Sequence, residues 1–382
     1  MTLAGLLQPL SIRDAIAALD DGDLRHVEAA EPGRLGELMN WEVAAQVIQL
    51  RAGDAAALRV FKNGAPVPAE MVKGSRTAAA ASGSGLRQLI RQGVSLVMGD
   101  IAATTPRLQQ LAYDAERGFG CSLTLGMIAT FGEGRALEPH FDEQDILAFQ
   151  VEGEKTWSIL GDQRAKLPFA ANRPSPPEEV TREIRMRPGD ALLLPHGTWH
   201  SCWSEHDSLQ LSILLRRNRG ADVLDWLLRT RRTDEGLWRP APLARDPERL
   251  AAFEAHWKAR MHRLVDEASI AAFLADGDRR VAIPVHLDLD RDIDAAAPET
   301  VVSLLVRRPI PLPSEPQAPL RMGGAKVAST PAIRRAVEVL NAAAPVTVGD
   351  LVGRLSPDLD AAAVTAAIKA LDAAGLVSLS AP

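Results

Sequence analysis

The sequence is short of cysteine, of net positive charge and of long apolar runs, and each shortage removes a class of protein. Only Cys121 and Cys202 occur in 382 residues. No disulfide framework can therefore hold the fold, and their spacing suits neither a zinc ribbon nor a Cys-x-x-Cys redox pair. Both are expected to be buried and inert. The net charge of −6 argues against a general polyphosphate binder, because nucleic-acid affinity rests on Lys and Arg neutralising phosphates. No stretch reaches the roughly 18–20 uninterrupted apolar residues of a membrane span. The start, "MTLAGLLQPLSIRDAIAALDDGD", lacks a basic n-region, a long apolar h-region and a small-residue cleavage site. A cytoplasmic protein without a membrane partner is the expectation.

Apolar residues make up 46% of the chain, enough for a substantial core, and at about 100–200 residues per domain the length predicts two or three domains. Near the start, "LGELMNWEVAAQVIQL" has helical spacing, and "LRVFKNGAPV" reads as a strand entering an Asn-Gly turn. "KGSRTAAAASGSG" (73–85) is too small and polar to build a core and reads as a surface loop. From about residue 118 to 217 short β runs follow one another: "CSLTLGMIATF", "DILAFQVEG", "KTWSIL", "REIRMRPGDALLLP", "WHSCWS" and "SLQLSILL". Gly, Pro, Asp and Ser clusters divide them at the intervals of a sandwich or small barrel.

After Arg217 the pattern turns helical, with Trp226, Trp238 and Trp257 on amphipathic segments. These helices are more apolar than a lone surface helix requires, so a homodimer through them is expected. "TVVSLLVRR" then reads as an edge strand, followed by the extended connector "PIPLPSEPQAP". Between Thr330 and Pro382 three short helices precede the strand-like "LVSLS". Thr330-Pro331 and Thr347 with Asp350 supply the helix starts, and Gly375 ends the third helix. This is the outline of a winged helix-turn-helix. It carries four basic residues (Arg334, Arg335, Arg354, Lys369) against five acidic ones (Glu338, Asp350, Asp358, Asp360, Asp372). One lysine amid alanines on the third helix is a poor base reader, so nucleic acid is an unfavoured partner and protein docking the expected role.

The chemistry concentrates in "EPHFDEQDILAFQVEGEKTW" (138–157) and "RPGDALLLPHGTWH" (187–200). In a strand, side chains two apart share a face, so His140 and Asp142 can present an imidazole and a carboxylate to one point. His200, beginning the return after a strand and a loop, is the third candidate. Two histidines and a carboxylate form a facial triad that leaves positions open on non-haem Fe(II), and the same set can bind zinc. Lys155 alternates with Trp157 and Ile159, and a lysine among large apolar neighbours is costly unless an anion meets it. The distal carboxylate of a keto-acid is such an anion. The other histidines (His26, His196, His206, His256, His262, His286) are read as structural, with His196 and His206 flanking the site.

This constellation, His-x-Asp, "DILAFQVEGEKTW", the Pro-Gly-Asp turn and the distal histidine, resembles the JmjC-type cupins and within them the ribosomal-protein oxygenases. The resemblance is clearest over about 115–217. It implies an α+β multidomain chain: a double-stranded β-helix (jelly-roll) catalytic domain over 1–217, a helical dimerisation region over 218–295 and a winged-helix domain over 296–382. It implies His140, Asp142 and His200 as iron ligands, Lys155 as the anchor of 2-oxoglutarate and Thr130 as an assisting hydroxyl. The implied activity is Fe(II)- and 2-oxoglutarate-dependent hydroxylation, with dioxygen, of a protein or peptide side chain. In the bacterial family members that side chain is an arginine of a ribosomal protein, and relatives act on histidine. "LLLPHGTWH" departs from the plainer approach expected before the distal histidine. Two other readings stand beside this one: a ligand-sensing cupin regulator with a DNA-binding winged helix, and a zinc cupin without oxygen chemistry.

Overall fold

The structure, a computed structural model, describes residues 2–51, 57–73, 83–165, 175–243, 246–281, 294–343, 345–356 and 358–381. Most of the expected loop at 73–85, and His286, lie outside these residues. Where the loop is described it is helical. Lys73 closes α4 and Gly83 opens α5, so "GSG" begins a helix instead of ending a loop. The chain divides into two compact units, Met1–Arg217 and Asn218–Pro382.

Among the described residues the first unit has eleven strands and six α-helices. The strands are β1 (Arg25–Val27), β2 (Leu58–Lys62), β3 (Ala65–Pro66), β4 (Ser95–Met98), β5 (Ser122–Thr130), β6 (Asp145–Glu152), β7 (Lys155–Leu160), β8 (Val180–Met186), β9 (Ala191–Leu194), β10 (His200–Trp203) and β11 (Ser208–Arg216). The helices are α1 (Leu3–Leu7), α2 (Ile12–Asp21), α3 (Trp41–Arg51), α4 (Ala69–Lys73), α5 (Gly83–Arg91) and α6 (Pro106–Phe119). A large antiparallel sheet of order β1-β9-β6-β11-β5-β4-β2-β3 and a small sheet of order β10-β7-β8 make the two walls of a barrel.

The two-residue period of the strands separates the core from the site. On β5, β6 and β11, Leu125, Met127, Ala129, Leu147, Phe149, Val151, Leu209, Leu211, Ile213 and Leu215 share one core with apolar residues of the six helices. The alternate residues Thr124, Gly126, Ile128, Thr130, Ile146, Gln210, Ser212 and Leu214 line a cavity on the other face. Trp157, Ile159, Ile184, Met186, Leu192 and Leu194 pack between the two sheets.

Two turns set the register around the site. Asn63 and Gly64 both take positive φ in the β2–β3 hairpin, as an Asn-Gly turn requires. Gly153, at φ +66°, joins β6 to β7, and a Cβ there would stand 2.1 Å from the Asp207 carbonyl oxygen. No side chain fits that approach.

The second unit contains α7 (Gly220–Thr230), α8 (Glu235–Trp238), α9 (Pro247–Asp266), α10 (Ile270–Arg280), β12 (Val301–Leu304), β13 (Leu320–Met322), β14 (Ala325–Val327), α11 (Pro331–Ala343), β15 (Val346–Thr347), α12 (Val348–Leu355), α13 (Ala361–Ala373) and β16 (Val377–Ser380). Thr330 Oγ1 accepts the Ile333 N–H at 3.2 Å, and Thr347 Oγ1 accepts that of Asp350 at 3.1 Å, so the two predicted helix starts are built as hydroxyl caps. One core joins α11, α12 and α13 to β12 and β16. The strand expected at a sheet edge is central: β12 pairs with β15 on one side and β16 on the other. Its prolines begin only at Pro309, so its backbone keeps donors for both neighbours. By contrast α9, twenty residues long, fully buries Leu264 alone. Among the described residues no helix is long and apolar enough to cross a membrane.

The Gly153→Ala variant is expected to lose at least about 2 kcal/mol in urea unfolding, from left-handed backbone strain plus the backbone clash. Gly83→Ala, at an exposed helix start where a Cβ meets nothing within 4 Å, is expected to be neutral or slightly stabilising. Equal behaviour of the two variants would remove the claim that the β6–β7 turn needs glycine.

Candidate functional site

Residues 138–144 do not continue β6, so the pair two residues apart is not presented by a strand. His140 instead makes an isolated bridge with His200. Each donates its N–H to the other's carbonyl, at 3.0 and 2.8 Å. Asp142 is held by its own backbone, its carbonyl accepting the Gly197 N–H at 2.8 Å. These bonds gather the donors of His140, Asp142 and His200 within 4.8 Å of one another.

The local chemistry turns the imidazoles the same way. His140 Nδ1 lies 2.8 Å from the Glu138 carbonyl and His200 Nδ1 lies 3.0 Å from the Thr198 carbonyl. A carbonyl only accepts, so Nδ1 carries the proton in each ring and Nε2 keeps its lone pair. Both Nε2 atoms stand 3.6 Å from Asp142 Oδ2, too far for a hydrogen bond. Donors bound to one ion at about 2.1 Å stand roughly 3.0–3.4 Å apart at octahedral to tetrahedral angles, so the set fits a divalent cation after a small contraction. Trp157 stacks on His200 with ring centroids 5.2 Å apart. Burial, together with the neighbouring His140, pushes the His200 imidazolium down to about 4 against the opposing pull of Asp142. The ring is therefore a neutral ligand at ordinary pH.

The cavity beside the triad has a volume of about 350 Å³, the size of a small-molecule site. Lys155 opens into it from β7 and is 3% exposed. Burial pulls its ammonium down to about 8, and the opposing interaction is a weaker one with Cys202, with no ion pair to a carboxylate among the described residues. Thr130 lines the same cavity, where its Oγ1 accepts the Ser95 hydroxyl at 3.1 Å and its own O–H is left to donate. All five residues singled out in the sequence therefore meet around one space.

Several neighbours carried no readable signal. Cys202, expected to be buried and inert, is half-buried and lines the cavity beside Lys155, and burial raises its thiol to about 12. Gln210 and Ser212 face inward on β11, with the Gln210 amide donating to the Ser212 hydroxyl at 2.8 Å. The Gln210 Oε1 and Trp157 Nε1 atoms have no hydrogen-bond partner among the described residues. Of the flanking histidines, His196 is bound to Asp145 and His206 is exposed. Only the two-residue alternation of β11 could have pointed to Gln210 and Ser212.

Fold and site together define a double-stranded β-helix of the cupin class with a two-histidine, one-carboxylate centre. Residues 107–223 match the JmjC domain family. The chain is 28% identical over 127 residues to the bifunctional lysine-specific demethylase and histidyl-hydroxylase NO66 of Drosophila persimilis, a match covering 33% of this chain and 18% of that one. It is 30% identical over 86 residues to ribosomal oxygenase 2 of Bos taurus, covering 22% and 18%. The chain thus spans under a fifth of the length of these relatives. Among solved structures it is similar to Escherichia coli ycfD, with a TM-score of 0.58 and 14% identity over 97% of this chain and 99% of that one. A second structure of the same protein, named there as the ribosomal oxygenase YcfD, gives 0.55 and 15% over 94% and 95%. At that identity the likeness establishes the fold.

The buried ammonium has a measurable signature. Below about pH 8 Lys155 is charged in folded and unfolded chains alike, and the burial penalty acts in full. Between about 8 and 10.5 the folded protein has released the proton and the unfolded chain has not, so stability rises with pH. The difference in unfolding free energy between wild type and Lys155→Met is expected to grow in favour of wild type by on the order of 3 kcal/mol across that window. Cys202 titrates in the opposite sense and is present in both proteins. A flat difference would mean that Lys155 is solvated.

Proposed function

We propose that the protein is an Fe(II)- and 2-oxoglutarate-dependent dioxygenase that hydroxylates a side chain of a protein or peptide. The observation that carries this reading is the pairing of an Nε2, Nε2, carboxylate donor set with a buried lysine that has no carboxylate partner among the described residues, in the same cavity. A structural zinc site would leave Lys155 unexplained. Iron with 2-oxoglutarate and dioxygen supplies an oxidative decarboxylation coupled to oxygen insertion at an unactivated C–H bond.

The chain's own residues bind and orient. His140, Asp142 and His200 would hold the metal on one face and leave the other open. Lys155 would take the distal carboxylate of 2-oxoglutarate, with the Thr130 hydroxyl donating beside it. Trp157 keeps the His200 ring in place, and the apolar wall of Ile128, Ile146 and Leu214 limits water around the reacting atoms. A ribosomal protein, through an arginine or histidine, is the favoured target because the similar proteins include a histidyl-hydroxylase and ribosomal oxygenases.

Beyond the barrel, the reading assigns 218–295 to self-association and 296–382 to a winged-helix module that docks protein. Leu224, Leu228, Trp238, Trp257, Val265 and Ile270 are all exposed on the helices from α7 to α10, an apolar surface suited to a second copy of the chain. Two free thiols and no disulfide suit a reducing, cytoplasmic setting.

Anaerobic titration of the Fe(II)-loaded protein with 2-oxoglutarate is expected to give a weak visible charge-transfer band. Lys155→Ala should need far more co-substrate, on the order of a hundredfold for a buried charge-assisted contact, and His140→Ala or Asp142→Ala should abolish succinate formation. Bound iron without the band would redirect attention to the zinc and sensor readings. In sedimentation at micromolar protein a dimer is expected, and Trp257→Glu should shift it toward monomer. A wild-type monomer under those conditions would remove the self-association.

A further inference from the structure

The proposed reaction employs His140, Asp142, His200 and Lys155 and leaves one buried carboxylate beside them without a task. Asp145, the first residue of β6 and three past Asp142, has a side chain only 1% exposed. Its Oδ1 accepts the His196 backbone N–H at 2.7 Å and lies 2.8 Å from His196 Nδ1. Its Oδ2 is reached by Arg217 Nη1 at 3.4 Å. A carboxylate shut away from water is costly unless donors meet it. Burial pushes the Asp145 carboxyl up, and the two His196 contacts and Arg217 more than offset this, holding it below the usual range. The contact also assigns the His196 ring, which donates from Nδ1 to an ionised acceptor.

The position of this contact in the chain gives it consequence. His196 lies in the loop between β9 and β10, four residues before His200. The next residue, Gly197, donates its N–H to the Asp142 carbonyl at 2.8 Å, and the one after, Thr198, supplies the carbonyl that holds His200 Nδ1 at 3.0 Å. The Thr198 hydroxyl in turn donates to the Pro195 carbonyl at 2.7 Å and closes the loop on itself. One carboxylate thus ties the segment bearing His140 and Asp142 to the loop that orients His200.

We infer that Asp145 and His196 are a positioning pair that sets the spacing of the three metal donors. The inference rests on the metal-site reading above and adds two residues outside the ligand set. Groups bonded to the segments that carry ligands are worth about tenfold to a hundredfold in metal affinity when removed. The His196 side chain is 29% exposed and contributes little to the core, so its loss should act on the site more than on folding.

The test is a Co(II) titration followed by visible absorption, with thermal unfolding of the metal-free proteins in parallel. The proteins are wild type, His196→Ala, His196→Asn, Asp145→Asn and the ligand variant His140→Ala. His196→Ala is expected to need about tenfold to a hundredfold more Co(II) and to show an altered band, with only a modest fall in metal-free melting because the His196 backbone N–H and Arg217 still meet the carboxylate. His196→Asn, whose amide N–H stands in for Nδ1–H, should recover most of the affinity and the band. Asp145→Asn keeps an acceptor for the backbone N–H but loses the charge, and should fall between them. Where Asp145→Asn does not fold, the two His196 variants decide. Wild-type affinity and band in His196→Ala, alongside loss of binding in His140→Ala, would overturn the positioning role and leave the metal site standing. A wild-type protein that takes up no Co(II) would overturn both.

Discussion

Two backbone hydrogen bonds, from His140 to His200 and back, are the constraint on which the site depends. They join the irregular segment at His140 to the start of β10, sixty residues away, and they bring the two imidazoles to a centroid separation of 4.4 Å. Each ring is then turned by the same local device, an Nδ1–H bonded to the carbonyl two residues earlier. The backbone thereby decides both how close the rings stand and which nitrogen keeps its lone pair. Asp142 needs no strand to join them, because the Gly197 N–H fixes its carbonyl.

The barrel supplies the second requirement, a cavity of about 350 Å³ beside that point. Alternation along β5, β6 and β11 sends one set of side chains into a shared core with six helices and the other into the cavity. A one-residue slip would exchange the two sets and empty the site of its polar groups. The Gly153 turn protects against that slip, since it seats the start of β7 against Asp207 and so points Lys155 inward with Trp157 and Ile159. An ammonium among such neighbours lowers the stability of the folded chain. A fold that carries this cost beside a cluster of metal donors is shaped for a ligand as well as for its own packing.

The strands of the barrel, the Asn-Gly hairpin and the hydroxyl-capped helices near the C-terminus were legible because each rests on local rules: alternation, turn chemistry and caps. Lys155 was legible because strand alternation carries it; the pair His140 and Asp142 was picked out by an alternation that the backbone at 138–144 does not have, and the family resemblance supplied the roles. What stayed hidden depends on contacts between distant segments. Nothing in "DEQD" or "PHGTWH" says that Asp145 will receive His196, or that Cys202 will turn toward Lys155. The central place of β12 was misread because its following prolines suggest an edge, whereas its neighbours β15 and β16 come from residues more than forty positions later. The helix beginning at Gly83 was missed because small residues read as a linker, although Leu86 and Leu89 bury against the core.

Charge balance connects these features. Asp145 is a buried carboxylate close to the site, and His196 and Arg217 already neutralise it, so it does not answer Lys155. Among the described residues Asp142 is the one carboxylate lining the cavity, and in the proposed reading it faces a divalent cation. Arg59 and Arg216 also line the cavity but are exposed, where water screens them, so among the groups turned away from solvent that cation and the Lys155 ammonium exceed Asp142 by two positive charges. A monoanion would leave one of them uncompensated, and at the buried Lys155 an unmatched charge is expensive. A dicarboxylate carries two negative charges at opposite ends, one for the metal and one for the lysine. The shape of the imbalance, one excess charge at each of two separate points, therefore favours a small dicarboxylic keto-acid over acetate, phosphate or a lone hydroxide as the molecule the cavity is built to hold.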